Sequence, residues 1–304
     1  MEKNLIVLAG PTASGKTACG IALAEHFNTE IISSDSRQIY KETTIGTAVP
    51  DKEEREKIKH HFIQTISVKQ DYNASMYEEE VLKTLSTLFK KHDVVILAGG
   101  SGLYIDAVCT GIDELPKIDP DIRKNLAERL RLEGLDKLTE ELKRVDPVSY
   151  RIVDLKNPMR VLKALEISVQ TGMPYSGFLK NRQKVREFNI IRLALDMDRD
   201  QLYERINSRV DEMMKRGLLD EVKDLLPVRD YTALKTLGYR ELFRHIDGEI
   251  SLEEAIEQIK NSSRKYARKQ LTWFRKGSLY QWFDPSDLSG MIAYIESSLN
   301  KSDK

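Results

Sequence analysis

The chain has 304 residues, 40% hydrophobic and 32% charged, which is typical of a soluble globular protein with one large domain or two modest ones. Its 48 basic and 48 acidic residues cancel, which excludes a uniformly positive surface but allows a local basic face. The chain has no apolar run of about 18 residues and no signal-peptide pattern, so we expect a cytoplasmic protein without a membrane span.

Four apolar runs in the chain are typical of strands buried on both faces of a parallel sheet. They are Leu5–Ala9, Ile31–Ser33, Val94–Ala98 and Ile190–Leu195. Helix-like segments separate the first three runs. This alternation predicts an α/β fold with a parallel sheet flanked by helices.

The predicted helices of this region follow the first and second strands. One begins after Lys16, and another covers residues 74–91 with Asn73 placed to cap it. The face of the second helix predicted to be apolar consists of Met76, Leu82, Leu85 and Phe89.

The pattern changes at about residue 116, where the chain becomes helical, charged and interrupted by prolines. We interpret residues 116–186 as an all-helical insertion domain. Residues 1–115 and 187–304 then form the core with a helical C-terminal part, in which residues 253–270 are predicted to form one long helix. Cys19 and Cys109 are far apart and match no metal-binding spacing, so we expect both to be packing residues and no zinc site.

The segment after the first strand fits the pattern G-x-x-x-x-G-K-[ST] of a phosphate-binding loop, or P-loop, between a strand and a helix. Such a loop turns backbone N–H groups and a helix N-terminus toward phosphate. Lys16 would add a full positive charge, and the Thr17 hydroxyl can ligate Mg²⁺. The residues of the motif are Gly10, Pro11, Thr12, Ala13, Ser14, Gly15, Lys16 and Thr17.

Two further loops follow predicted strands and carry polar side chains. Asp35 comes just after the second strand, and Ser101 lies in the Gly99–Gly102 turn after Val94–Ala98. The carboxyl ends of strands in an open α/β sheet share one edge, so we expect both residues near the P-loop. We interpret the glycines of the turn as allowing close approach of a ligand. The third strand ends without the carboxylate that an NTP-hydrolysing protein places there, which indicates a phosphate-handling transferase.

Six motifs together resemble the tRNA dimethylallyltransferase (tRNA isopentenyltransferase) family, in the family's order and over nearly the whole chain. They are GPTASGKT at 10–17, SSDSRQIY at 33–40, GGSGLY at 99–104, NPMRVLKALE at 157–166, TLGYRE at 236–241 and YARKQLTWFR at 266–275. Ser101 stands where many members carry threonine, which keeps the hydroxyl. We expect no zinc-finger extension of the kind that some eukaryotic members carry, so the sequence resembles the bacterial form of the family.

The resemblance implies transfer of a dimethylallyl group from dimethylallyl diphosphate to N6 of the adenine immediately 3′ of the anticodon in tRNA. Diphosphate is released with the assistance of Mg²⁺, so the P-loop would hold the leaving group rather than ATP. The implied partners are therefore dimethylallyl diphosphate and the anticodon stem-loop of tRNA, and we expect a monomer.

The resemblance also implies residue roles. Lys16, Asp35 and Ser101 would be catalytic, with Asp35 accepting the proton of the adenine amino group, and Thr17 would ligate Mg²⁺. A base turned out of the anticodon loop would be held by the segment from Asp35 to Gln38. The residues expected to bind tRNA are Asp35, Ser36, Arg37, Gln38, Ser101, Arg123 and Arg160. The stretch Arg264–Lys276, with six basic residues and no acidic one, is a further candidate for RNA contact.

Three alternatives share the P-loop. A small-molecule kinase could use Asp35 as a base but needs neither the basic stretch nor a large insertion. An adenylate isopentenyltransferase would act on free nucleotides, and the long C-terminal half disfavours it. A non-catalytic nucleotide-dependent RNA-binding switch would bind NTP without prenyl transfer.

Overall fold

The computed structural model describes residues 2–180 and 183–302. The chain divides into two compact units, one formed by Met1–Thr110 with Val185–Lys304 and the other by Gly111–Lys184. The first unit is built on a sheet and the second is helical. Among the described residues, none of the helices combines the length and apolar character needed to cross a membrane.

The first unit contains a six-stranded parallel sheet in the order β3-β2-β4-β1-β5-β6. Its strands are β1 Asn4–Ala9, β2 Ile31–Ser33, β3 His60–His61, β4 Val94–Gly99, β5 Asn189–Leu195 and β6 Gln281–Phe283. The four predicted strands and their parallel arrangement are confirmed. The sequence did not reveal β3 and β6, because these short edge strands are His-His and Gln-Trp-Phe rather than continuous buried apolar runs.

Nine helices of the first unit lie among the described residues. They are α1 Lys16–His26, α2 Lys52–Lys57, α3 Ala74–Leu88, α4 Gly102–Thr110, α9 Arg199–Lys215, α10 Leu218–Asp224, α11 Tyr239–Ile246, α12 Leu252–Phe274 and α13 Leu288–Ser302. Strands β1, β4 and β5 pack with α1 and α13 in one apolar core that includes Ile6, Leu23, Leu193 and Ile295. This core fixes the central strands, whose ends carry the candidate site.

Helix α3 departs from its predicted extent and orientation. It ends at Leu88 rather than 91, and the Asn73 side chain accepts the N–H groups of Ser75 and Met76 as the predicted cap. Of the predicted apolar face, Leu85 and Phe89 are buried, Leu82 is partly buried, and Met76 is 40% exposed, so the prediction is wrong for Met76. The buried residues of the helix are Ala74, Tyr77, Glu78, Val81, Leu85 and Leu88. The buried Tyr77 hydroxyl donates a 2.8 Å hydrogen bond to the Ser33 carbonyl.

The second unit contains the helices α5 Pro120–Glu133, α6 Leu135–Val145, α7 Pro147–Ile152 and α8 Pro158–Thr171. Its own core includes Leu126, Leu138, Leu142, Val161 and Leu165. The fully buried Asp146 carboxylate accepts hydrogen bonds from the backbone N–H and hydroxyl groups of Ser149 and Ser176. These bonds tie α7 to the turn that follows α8.

Candidate active site at the carboxyl edge of the sheet

The sheet order brings three loops to one edge. The P-loop follows β1 at the centre of the sheet, the Gly99–Gly102 turn follows β4 beside it, and Asp35 follows β2 one strand further out. In register, Ala9 pairs with Gly99 and Ser33 pairs with Ala98, so the three loops begin at nearly the same level. The turn after β4 therefore lies between the P-loop and Asp35.

The P-loop has the backbone of an anion-binding loop. Ala13 and Gly15 have positive φ angles of 63° and 95°, in the left-handed region that a tight turn requires. The N–H groups of the first turn of α1 lack intrahelical acceptors, as at any helix N-terminus, and no side chain caps them at Gly15. Ser14 is fully buried and its hydroxyl has no hydrogen-bond partner in the part of the chain that the structure describes.

Three cations surround the P-loop. The Lys16 Nζ donates to the Pro11 carbonyl at 2.6 Å, and the Arg209 Nη1 lies 3.5 Å from the Thr12 hydroxyl. Burial, with a smaller contribution from Arg209, lowers the pKa of Lys16 to about 7 against the opposing effect of Asp35. Burial also lowers the pKa of Arg209. Arg205 lies one helical turn before Arg209 and also lines the cavity. Such a crowded cationic cluster favours a bound polyanion.

The two carboxylate oxygens of Asp35 have different surroundings. Its Oδ1 accepts the backbone N–H groups of Arg37 at 2.8 Å and Gln38 at 3.3 Å. The other carboxylate oxygen has no hydrogen-bond partner among the described residues, and Asp35 lines the cavity. One oxygen can therefore hold the turn while the other faces a substrate.

Most of the hydrogen-bonding capacity of Gln38 is used within the protein. Its Nε2 donates to the Thr47 and Ala48 carbonyls at 3.2 and 2.9 Å, and its Oε1 accepts from the Ser33 hydroxyl at 3.3 Å. That Gln38 hydrogen-bonds the edge of a base stays a prediction. In this arrangement only the second lone pair of its Oε1 is available to accept such a bond. The Arg37 Nη1 likewise donates to the Ala233 carbonyl, at 3.3 Å.

The loop that holds Gln38 is anchored by Glu221 of α10. The Glu221 carboxylate accepts the three successive backbone N–H groups of Thr44, Ile45 and Gly46 at 2.7 to 3.0 Å. It also accepts the Tyr239 hydroxyl at 2.7 Å. A Cβ at Gly46 would overlap the Tyr239 ring, so the glycine is required by this packing.

Ser101 lies behind the cavity wall rather than on it. The residue is buried, its hydroxyl accepts the Ser36 N–H at 2.9 Å, and it donates to the Ser36 hydroxyl at 3.2 Å. Ser36 lines the cavity, whereas Ser101 does not. Ser101 therefore reaches the cavity through Ser36 in this structure.

Gly99 and Gly100 line the cavity, which agrees with the interpretation that the backbone of this turn can approach a ligand closely. The same turn is also tightly packed on the side where a Cβ would lie. A Cβ at Gly99 would overlap Ser34, one at Gly100 would overlap Gln270, and one at Gly102 would overlap the Trp273 ring. The glycines are needed because α12 and the loop after β2 pack directly against the turn.

One cavity of about 850 Å³ joins these groups, within the roughly 300–1,000 Å³ usual for small-molecule sites. Predicted residues on its wall are Thr12, Ala13, Gly15, Lys16, Thr17, Asp35, Ser36, Arg37 and Gln38. Apolar residues form another part of the wall, among them the partly exposed Met213 of α9 and Leu237. The cavity can thus hold a charged group and an apolar group together.

The remaining arginines predicted to bind tRNA lie in the helical unit. Arg123 of α5 places its Nε 3.6 Å from the buried Glu166 of α8, while its own side chain is half exposed. Arg160 is exposed in the first turn of α8, after the Asn157 cap. Both can reach solvent, as an RNA contact requires.

The basic stretch Arg264–Lys276 lies largely on α12, which extends four residues beyond its predicted end. Arg264 binds Asn207 and Asn261, Arg275 pairs with Asp196 at 2.5 Å, and Lys276 lies over the Trp273 ring at 5.2 Å. The remaining three basic residues are exposed and have no ion pair among the described residues. They are Lys265, Arg268 and Lys269.

Sequence reasoning did not single out Arg205, Arg209 or Gln270. The arginines are four residues apart on one helix, but this spacing also suits a solvated helix face. Only the placement of β5 beside β1 brings α9 over the P-loop. Gln270 lies within a recognised motif, yet its role depends on the packing of α12 against two loops.

Comparisons with known proteins give one family. A family model described as IPP transferase matches residues 38–277. A tRNA dimethylallyltransferase 1 of Bacteroides fragilis is 47% identical over 297 residues, covering 98% of this chain and 99% of the relative. A tRNA dimethylallyltransferase of Cytophaga hutchinsonii is 45% identical over 301 residues, covering 99% of each.

Solved structures have the same fold. The tRNA isopentenylpyrophosphate transferase of Bacillus halodurans is 33% identical with a TM-score of 0.73, covering 100% of this chain and 98% of that one. A eukaryotic dimethylallyltransferase acting on tRNA is 26% identical with a TM-score of 0.78, covering 99% of this chain and 80% of that one.

Proposed function

Since the chain belongs to the IPP transferase family, we propose that it transfers a dimethylallyl group from dimethylallyl diphosphate to N6 of the adenine immediately 3′ of the anticodon in tRNA. The observation that carries this proposal is that the P-loop cations and the Asp35 carboxylate open into one cavity with an apolar wall. The cations would bind the phosphates, the apolar wall would contact the prenyl group, and the Asp35 carboxylate would bind the amine.

The leaving diphosphate would be held by the backbone from Ala13 to Thr17 and by the side chains of Lys16 and Arg209. Breaking the bond between C1 of the dimethylallyl group and oxygen places additional negative charge on the diphosphate. Donors that are already oriented stabilise this charge without reorganising, which is often the largest catalytic term.

The adenine must leave the base stack to reach the cavity, at a cost of a few kcal/mol. Its N6 then forms the new bond to C1. The Asp35 oxygen that has no partner would accept a hydrogen bond from the amino group and finally its proton. An aromatic amine is a weak nucleophile, so orientation and proton acceptance both raise the rate.

The residues present fit a Mg²⁺ ion held together with the diphosphate. Mg²⁺ takes oxygen ligands and retains several waters, so few protein ligands are needed. The Thr17 hydroxyl lines the cavity and has no hydrogen-bond partner in the described part of the chain. When bound, the ion would neutralise charge on the phosphate oxygens.

Removal of Mg²⁺ by a chelator is expected to abolish most of the transfer and to be reversed by added Mg²⁺. Thr17→Ala should raise the Mg²⁺ concentration needed for half-maximal rate by about tenfold, whereas Thr17→Ser, which keeps the hydroxyl, should stay near wild type. Rates measured over a Mg²⁺ titration check this. Equal Mg²⁺ requirements for the alanine and serine variants would remove Thr17 from the metal site.

Affinity for tRNA is expected to fall steeply with salt, because Lys265, Arg268 and Lys269 would contact phosphates. Replacing all three by glutamine should reduce the magnitude of the slope of log association constant against log salt concentration by up to about two to three. The expected change is near one for each phosphate that is no longer neutralised. Binding titrations at several salt concentrations measure the slope. Matched glutamine variants of the acid-paired Lys52, Lys83 and Lys223 serve as the control. An unchanged slope for the α12 variant would exclude this surface from RNA binding.

The proposed reaction is tested by incubating the protein with labelled dimethylallyl diphosphate, Mg²⁺ and unmodified tRNA, followed by nucleoside analysis. Label on N6 of the adenine beside the anticodon is the expected result. Label on free adenine nucleotides instead of tRNA, or consumption of ATP without prenyl transfer, would contradict the proposal.

A further inference from the structure

Gln270 of α12 joins two of the loops that form the cavity. Its Oε1 accepts the backbone N–H of Thr12 at 2.9 Å, and its Nε2 donates to the Gly100 carbonyl at 2.9 Å. The residue is only 6% exposed. A Cβ at Gly100 would overlap Nε2, so the turn and the carboxamide are in direct contact.

The two backbone groups bonded to Gln270 belong to different parts of the proposed active site. Thr12 immediately precedes the backbone from Ala13 to Thr17, which faces the diphosphate. Gly100 immediately precedes Ser101, whose hydroxyl holds the Ser36 N–H next to Asp35. Gln270 therefore lies between the part of the site that holds the leaving group and the part that holds the base.

Other side chains of α12 support this contact without duplicating it. The Trp273 Nε1 donates to Asp106 of α4 at 2.9 Å, and the Trp273 ring packs on Gly102. Tyr266 lines the cavity. Among these residues, only Gln270 bonds to the P-loop.

We propose that Gln270 is a positioning residue that sets the separation between the bound diphosphate and the Asp35 carboxylate. This inference rests on the proposed function. Transfer requires the amine and C1 to be about 3–3.5 Å apart and aligned, and an error of about 1 Å can cost about 10²-fold in rate. Loss of the Gln270 bonds should therefore reduce kcat more than it changes KM, because the phosphate-binding backbone and Lys16 are retained.

The test compares Gln270→Met, which keeps the volume but loses both hydrogen bonds, with wild type and Gln258→Met. Gln258 also lies on α12 and bonds Arg244 at 3.0 Å, away from the cavity. For Gln270→Met we expect kcat to fall by about 10- to 100-fold while KM for dimethylallyl diphosphate stays within about threefold. Gln258→Met should keep wild-type values.

Gln270→Glu gives a second test of nearly the same shape. It keeps an acceptor for Thr12 but places a carboxylate oxygen against the Gly100 carbonyl, so its kcat should also fall. A wild-type kcat in either folded Gln270 variant overturns the proposal, as does an equal loss in Gln258→Met or a loss confined to KM. Thermal unfolding of each variant identifies a change in stability. Absence of transfer by the wild type would instead reject the proposed function, and this inference with it.

Discussion

Replacing Lys16 by methionine is expected to reduce transfer by about 10²–10³-fold, the usual cost of losing one oriented donor to a developing anion. Methionine is similar in length and apolar, so the loop can keep its shape while the charge is removed. Single-turnover rates with labelled dimethylallyl diphosphate, together with the affinity for inorganic pyrophosphate, measure the effect.

The matched control is Lys83→Met. Lys83 is exposed on α3 and pairs with Glu79 at 2.7 Å, so its replacement removes a lysine outside the cavity. If Lys16→Met turned over within about threefold of wild type, Lys16 could not be the main side-chain donor to the diphosphate, and Arg209 would take that role.

Replacing Asp35 by asparagine is expected to lower turnover by about 10²–10⁴-fold, the range of general base catalysis, while tRNA affinity changes little. The structure makes asparagine the informative variant. Its Oδ1 can still accept the N–H groups of Arg37 and Gln38, so the turn is kept while the proton acceptor is removed.

Asp35→Ala removes both functions and is therefore expected to weaken tRNA binding as well as turnover. Steady-state kinetics and tRNA binding measured on both variants separate the two contributions. Near-normal turnover in Asp35→Asn with poor turnover in Asp35→Ala would show that Asp35 is a cap for its loop and not a base.

Much of the core fold followed from local pattern. Strands buried on both faces are continuous apolar runs, so β1, β2, β4 and β5 were visible in the sequence, whereas the two- and three-residue edge strands β3 and β6 were not. The face of α3 was misjudged because Met76 is apolar but exposed. Its hydrophobicity does not indicate that Tyr77, rather than Met76, faces the sheet and bonds the Ser33 carbonyl.

The candidate site likewise contains residues that the sequence predicts and residues that it does not. The P-loop is a contiguous motif whose geometry is local, and the rule that strand ends share an edge was enough to place Asp35 beside it. Arg205, Arg209 and Gln270 lie far from the P-loop in the chain, on helices that only tertiary packing brings to that edge.

The sequence by itself thus determined the parallel sheet, the phosphate loop and the family. Each of these is recognised from short segments of contiguous residues, namely the apolar strands, the P-loop and the six motifs. The tertiary structure decided which cations complete the phosphate site, that Gln38 is bonded within its own loop, and that the turn after β4 packs against α12. Those properties depend on groups that meet only when distant segments of the chain pack together. A change of about 1 Å in the distance between two such groups is enough to form or break a hydrogen bond.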